Sequence, residues 1–223
     1  MGDSTHVYLK ELEGQKPSNQ DGALDHALIP RFETSTPAGA YDFQINFAGN
    51  MFPYQAYHVP GYGSNFKNTV RRMQPGFLML GGFGKVEARA ENRVTIDPDQ
   101  KDAFGIPIPV VRFRFSEQDK IVYRALRQTG EEICGRLKGT VTETFGERPG
   151  GFASHEVGTA RMGKDPKTSV LNSFCQTHDV KNLFVTDGSS FTTSSEKNPT
   201  LTIMALSLRA TDYIREQRRK GEL

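Results

Sequence analysis

The chain is poor in cysteine. It has only Cys134 and Cys175, too few and too far apart for a disulfide framework or a zinc knuckle. They read as two reduced, partly buried thiols or as one disulfide. Long apolar runs are missing as well: the most hydrophobic stretch, residues 201–208 (LTIMALSL), falls far short of the ~20 apolar residues that cross a bilayer. No signal-peptide pattern opens the sequence, and His6 stands where a myristoylation motif needs Ser or Thr. Charge is not in excess either. With 28 Lys and Arg against 26 Asp and Glu, electrostatics gives no reason to expect nucleic acid or an anionic membrane as partner. Internal repeats and low-complexity tracts are absent. Together these absences point to a soluble protein with no membrane span, its compartment (cytoplasmic or periplasmic) left open.

At 36% hydrophobic and 24% charged over 223 residues, what is present suits a globular protein able to bury a core, as one large domain or two small ones. The first part reads as β-rich. Tyr41, Phe43, Ile45 and Phe47 alternate with other residues, the period-2 pattern of a strand with one buried side. Residues 110–115 do the same, with Val111, Phe113 and Phe115 opposed by Arg112 and Arg114. Residues 77–80 form a short apolar run ending at Gly81-Gly82, and 93–96 a further strand before the turn-like Asp97-Pro98-Asp99. Such strands predict an antiparallel sheet solvated on one face. Residues 50–76, rich in Gly, Pro, Tyr and Asn, read as long surface loops. A helix is expected over 117–137: Ser116 and Asp119 have capping-box spacing, and Val122, Leu126, Ile133 and Leu137 share a stripe. Gly130 is placed to weaken, kink or end it, and a flexible stretch follows at 146–151.

From residue 154 onward the character changes. Residues 182–186 (NLFVT) read as a short strand entering Asp187-Gly188-Ser189, and a polar linker leads to Asn198-Pro199-Thr200 and a long helix to about residue 219. Asn198 is a favoured N-cap, and Pro199 suits the first helical position, where no N–H is needed. The helix is apolar nearly all round from Leu201 to Leu208, which predicts a buried first half, while Arg215, Arg218, Arg219 and Lys220 complement its negative end. Such a helix start offers N–H groups and partial positive charge to an electron-rich group. It is equally the start of an ordinary capped core helix.

Four pieces in series carry a resemblance: residues 155–163 (HEVGTARMG), Asp165-Pro166 with Ser169-Val170, residues 182–189 (NLFVTDGS) and residues 198–209 (NPTLTIMALSLR). In order and spacing they resemble the C-terminal signature of the glucose–methanol–choline (GMC) oxidoreductases. Upstream, residues 92–97 (NRVTID) with Asp102, Gly105 and Pro107 resemble strands of that family's substrate domain, nearest in flavour to its bacterial sugar-acid and alcohol dehydrogenases. The resemblance implies an α+β fold. That fold is an antiparallel sheet with packed helices, with residues 1–153 as a substrate-domain-like β-rich region containing one long helix. Residues 154–223 would be the signature segment, whose strand and helix return to an FAD-binding domain.

It also implies roles. His155 matches the active-site histidine beside the flavin, and Asn198 the second member of the catalytic pair. Asp187 and Gly188 match the pair next to the cofactor's diphosphate and ribityl region. Asn198, Pro199 and Thr200 match the helix start that lies against the flavin's pyrimidine edge. The cofactor implied is FAD and the substrate an alcohol or sugar, its CH–OH group oxidised by hydride transfer to flavin N5. Histidine changes charge near neutral pH and suits the base; an asparagine amide can hydrogen-bond and orient the substrate oxygen. No metal is expected, because HEVGT lacks the second histidine of HExxH. His6, His26, His58 and His178 read as surface or loop residues, and Glu196 and Lys197 as solvated. Tyr54, Tyr57, His58 and Tyr62 are expected to help line the substrate pocket.

One part of the pattern is missing. FAD binding would need a strand, a GxGxxG turn and a helix, and residues 81–84 (GGFG) have the wrong spacing. The chain thus reads as lacking the FAD-binding Rossmann portion, without which the Pro199 helix would expose apolar surface. Two alternatives stand beside the enzyme reading: a truncated non-enzymatic fragment, or one chain of a split enzyme whose complementary chain supplies the FAD-binding fold.

Overall fold

A computed structural model describes residues 2–16, 26–31, 39, 41–46, 53–145 and 155–223; side chains are described except in 2–3, 26, 31, 53–54 and 143–145. The chain divides into two compact units, Met1–Lys85 with Gln118–Arg148, and Val86–Glu117 with Pro149–Leu223. The fold is mixed α and β with antiparallel sheets.

In the first unit, β1 (Gly2–Tyr8), β2 (His26–Arg31), β3 (Tyr41–Asn46), β4 (Phe77–Gly84) and β7 (Thr140–Phe145) form one sheet in the order β2-β3-β4-β1-β7. All its pairings are antiparallel. Ile45 pairs with Leu80 and Leu80 with Thr5, while Val7 pairs with Leu78, so the apolar alternations stack on one face. There Val7, Tyr41, Phe43, Ile45, Leu78 and Leu80 pack with Leu126 and Cys134 of α3 (Glu117–Arg136) into one core. The Tyr41 hydroxyl is satisfied within it, 2.8 Å from the Thr129 hydroxyl.

The other face is not solvated as expected. Asp42 is fully buried and His6 is 2% exposed; Gln55 of α1 (Pro53–Tyr57) lies over His6, its Nε2 3.0 Å from His6 Nδ1. His6 is therefore a buried strand residue, and His26 opens β2. The segment read as loops is largely helical, α1 being followed by α2 (Gly63–Met73). The signal for α2 is present in the sequence: Phe66, Val70 and Met73 recur at helical spacing and form its less exposed side. Tyr57 and Tyr62 are 85% and 91% exposed, and His58 is exposed as read. The stretch at 146–151 lies outside the described residues.

Three glycines behave otherwise than the sequence predicts. β4 does not stop at Gly81-Gly82 but runs through them, because the bare α-carbon of Gly82 is where α3 packs closest: a Cβ there would lie 2.6 Å from Leu126 Cδ2 and 3.0 Å from Phe43 Cε1. Gly130 does not break α3 either. It is buried against the Phe43 ring, 3.4 Å from where its Cβ would be, and packing outweighs the ~1 kcal/mol propensity cost of a helical glycine.

In the second unit, β5 (Arg93–Lys101) and β6 (Pro107–Arg112) make a two-stranded antiparallel ribbon. The expected Asp97-Pro98-Asp99 turn lies inside β5 as a break in register between Ile96 and Lys101, where Asp97 Oδ1 accepts the Asp99 and Gln100 amides. β6 ends earlier than read, and Val111 is 66% exposed. Beyond Arg112 the Asn92 side chain replaces the backbone ladder, donating to the Arg114 carbonyl and accepting its N–H at 3.1 and 2.9 Å. α4 (Thr200–Lys220) closes the chain. It ends in a left-handed Gly221, φ 74°, with Gly221 N–H donating to Arg218 and Glu222 N–H to Gln217, the two bonds of a Schellman cap.

Gly82→Ala is expected to lower unfolding free energy by about 1–3 kcal/mol through overpacking, read as a lower urea midpoint with an unchanged slope. Gly135→Ala, exposed on α3 with open space at its α-carbon, is expected to raise it by about 0.5–1 kcal/mol.

Candidate functional site

The signature residues occupy a segment with little regular structure, and backbone hydrogen bonds hold its loops in place. The expected strand at 182–186 is not formed. Phe184 makes an isolated bridge to Gln176, with Thr177 N–H donating to Leu183 and Val185 N–H to Cys175 at 2.9 Å each. Leu171, Cys175 and Ser190 are fully buried beneath it, and both cysteines are free. Burial raises the Cys175 thiol above its ordinary pKa, against the lowering pull of Arg209 and Ser190.

The His155 segment runs alongside the Asp187 turn. Gly158, Ala160 and Met162 donate their amides in succession to the carbonyls of Gly188, Ser189 and Ser190, at 3.0, 3.1 and 2.9 Å. To alternate in this way the backbone turns through the left-handed region at both Gly158 (φ 94°) and Thr159 (φ 78°). A β-branched residue there stores strain of about 1–3 kcal/mol, and such residues cluster at functional sites. His155 and Val157 are half-buried and Glu156 exposed.

Gly188 is where three segments meet. A Cβ on it would lie 3.3 Å from the Glu156 carbonyl oxygen, and 3.5 Å from both Val157 Cγ1 and Ile203 Cδ1. The residues flanking His155 and the first turn of α4 therefore close on the Asp187–Gly188 turn from two sides. Asp187 holds that turn with its own side chain: Oδ1 accepts the Ser189 N–H at 2.8 Å and the Ser189 hydroxyl at 2.5 Å. The Ser189 hydroxyl first, and its N–H second, hold this exposed carboxyl below the usual aspartate range.

The start of α4 departs from expectation. Pro199, not Asn198, is at the cap, with helical dihedrals (φ −81°, ψ −14°) and its carbonyl accepting the Ile203 N–H at 3.0 Å. Proline has no side-chain acceptor, so the helix begins without a side-chain cap. Asn198 and Thr200 are exposed and Pro199 half-buried. The expected buried first half is covered on one side only. Ile203 and Ser207 lie inward, while Leu201, Met204 and Leu208 are 78%, 58% and 69% exposed.

Other residues escaped sequence reasoning. The Glu196 side chain is only 15% exposed, accepting from Ser195 OH at 3.1 Å and pairing with Lys197 Nζ at 3.7 Å, so it is not the solvated residue expected. Ser194 Oγ accepts the Val86 N–H and donates to the Val86 carbonyl, at 3.1 and 2.8 Å, which ties the polar linker to the start of the ribbon segment. His178 is half-buried, its Nε2 3.0 Å from Ser169 Oγ. Because that hydroxyl donates to the Asp165 carbonyl at 2.7 Å, the contact holds a turn and does not prime a nucleophile. Short polar side chains bonded to distant backbone leave no periodic trace in a sequence.

Comparison with known proteins gives the class first: the proteins this chain is similar to are dehydrogenases and oxidases. A 2-methyl-1,2-propanediol dehydrogenase of Mycolicibacterium austroafricanum is 37% identical over 78% of this chain and 30% of its own length. The fructose dehydrogenase large subunit of Gluconobacter japonicus is 37% identical over 71% of this chain and 29% of its own. A pyranose 2-oxidase of Tricholoma matsutake is 26% identical over 74% and 32%. The family model described as GMC oxidoreductase matches residues 88–207, more than half of the chain, and the chain belongs to that family. It spans about a third or less of the length of these relatives.

The depressed Asp187 value fixes the sign of a pH effect. Because the native carboxyl titrates below the ordinary 3.8, its contribution to the turn is complete above that value and is lost as pH falls through the lower native one. The Ser189 amide resonance should follow that titration in a proton–nitrogen correlation spectrum, with a midpoint below 3.8. In Asp187→Asn the titration should vanish.

Proposed function

We propose that this chain is the C-terminal catalytic portion of an FAD-dependent oxidoreductase acting on the CH–OH group of an alcohol or sugar. The observation that carries this reading is the meeting at Gly188 of the His155 segment and the first turn of α4. The residues present fit the cofactor. The cap residue Pro199 puts no side-chain acceptor on the first turn of α4, which suits that helix start to an electron-rich group outside the helix. Gly188 lacks a side chain just where the backbone crowds. Asp187, Gly188, Asn198, Pro199 and Thr200 are the residues that would hold FAD.

When bound, FAD supplies the hydride acceptor. The chain's own residues supply the rest. His155 takes the substrate hydroxyl proton on a ring nitrogen, general base catalysis that contributes typically 10²–10⁴-fold. The Asn198 amide donates to the substrate oxygen and fixes its orientation. The head of α4 stabilises negative charge beside it.

The rest of the FAD site comes from a complementary FAD-binding segment, in the same or another polypeptide. Two features support this: the short coverage of the relatives, and the exposed stripe Leu201, Met204, Leu208, since exposed apolar patches mark partner surfaces. One relative is itself named as a large subunit.

Co-expression with such a segment should give a yellow protein whose colour is bleached by substrate. His155→Ala should keep the colour and lower the bleaching rate by about 10²–10⁴-fold. Bleaching at the original rate would remove His155 from the chemistry, and a colourless assembly would refute the cofactor reading.

A further inference from the structure

We infer that Ser207, which lies outside the signature positions assigned a role above, is the positioning residue that sets the register of α4 against the Asp187–Gly188 turn and, through the turn, against the His155 segment. The Ser207 hydroxyl lies 3.0 Å from the Thr186 carbonyl oxygen and 2.9 Å from that of Ile203. One proton is thus shared between the helix's own first turn and the residue immediately before Asp187. The Ile203 carbonyl also has the ordinary helical N–H donor; the Thr186 carbonyl makes no other hydrogen bond among the described residues. Half-buried, it stands to lose its one protein donor if the hydroxyl is removed.

From that bond a chain of contacts runs to the far side of the site. Thr186 leads into Asp187, whose carboxylate folds the turn, and the Gly188 and Ser189 carbonyls then receive the Gly158 and Ala160 amides. On the helix side, Ile203 both takes part in the Ser207 bond and packs where a Gly188 side chain would be. An apolar contact to a residue without a side chain lets a helix slide along its axis; a hydrogen bond to a fixed carbonyl does not. Serine supplies the stop, and packing at Gly188 supplies the distance.

The inference rests on the proposed function only for what is being positioned. Its test is native-state amide exchange on the chain itself, which reads local opening without any cofactor. In Ser207→Ala the Gly158 and Ala160 amides should exchange about tenfold faster, the size expected from losing one hydrogen bond. Core amides of β1 and β4 should be unchanged. Ser207→Thr, which keeps a hydroxyl, should restore protection. Unchanged exchange at Gly158 and Ala160, or equal acceleration in both variants, overturns the inference. Should the alanine variant unfold, Ser207→Cys decides, because its thiol is a weak donor: intermediate exchange at those two amides supports the role, and wild-type exchange refutes it. A colourless co-expressed assembly with these exchange results intact would reject the cofactor reading and leave the positioning role standing.

Discussion

Gly188 accepts the Gly158 amide on its carbonyl while its α-carbon faces Ile203 from the start of α4. Any side chain would have to fit within 3.3–3.5 Å of the Glu156 oxygen, Val157 and Ile203. These contacts let an extended segment, a tight turn and a helix share one small volume without a sheet to organise them. Regular secondary structure places residues through its repeat. Here placement comes from close backbone approach, which fixes separations to tenths of an ångström, since a missing Cβ cannot be replaced by rotating something else. The strained Thr159 is tolerated on the same ground, because the hydrogen bonds on either side of it, from Gly158 and Ala160, leave the backbone no other path.

The helix head follows from the same economy. A polar side chain at the cap would satisfy a first-turn amide internally. With proline there, the cap residue offers no such acceptor, and the helix starts beside the turn that Gly188 keeps thin. The outer stripe of Leu201, Met204 and Leu208 is a separate matter. Those side chains contribute nothing to the site's geometry and would gain hydrophobic stabilisation only from a surface laid over them. One helix thus carries a positioned inner face, on which Ile203, Ser207, Ala210 and Tyr213 sit, and an exposed apolar outer one.

Legibility in the sequence followed periodicity. The alternation of Tyr41, Phe43 and Ile45 gave β3, and the stripe Val122, Leu126, Ile133 gave α3, because a repeat in sequence is a face in space. Where a residue's environment is set by something distant, the pattern was silent or misleading. His6 looked exposed and is buried, since the α1 residue that covers it is 49 positions away. Gly81-Gly82 looked like a stop and is a packing notch for a helix that comes later in the chain. Residues 182–186 looked like a strand, but strands need partners, and the 175–177 segment offers only an isolated bridge and two flanking bonds. At the site, motif order gave the neighbourhood. The serines that bolt it together, Ser189 and Ser207, lie within those motifs, but no pattern marked the bonds they make.

Asp187 separates these two kinds of information most clearly. Resemblance points to it as a cofactor contact, and a carboxylate beside a diphosphate is electrostatically a poor choice if the carboxylate itself must face the anion. The geometry resolves this. One oxygen is committed to the Ser189 N–H and hydroxyl, so the acid shapes the turn and its charge is partly neutralised by two donors. Asp187 serves this turn through the backbone it organises, the reason a short acid or amide is favoured wherever a chain must turn sharply. Replacing it with alanine removes the turn's internal acceptor; replacing it with asparagine keeps an acceptor and drops the charge. The two substitutions therefore divide what Asp187 does for the fold from what it does for a ligand.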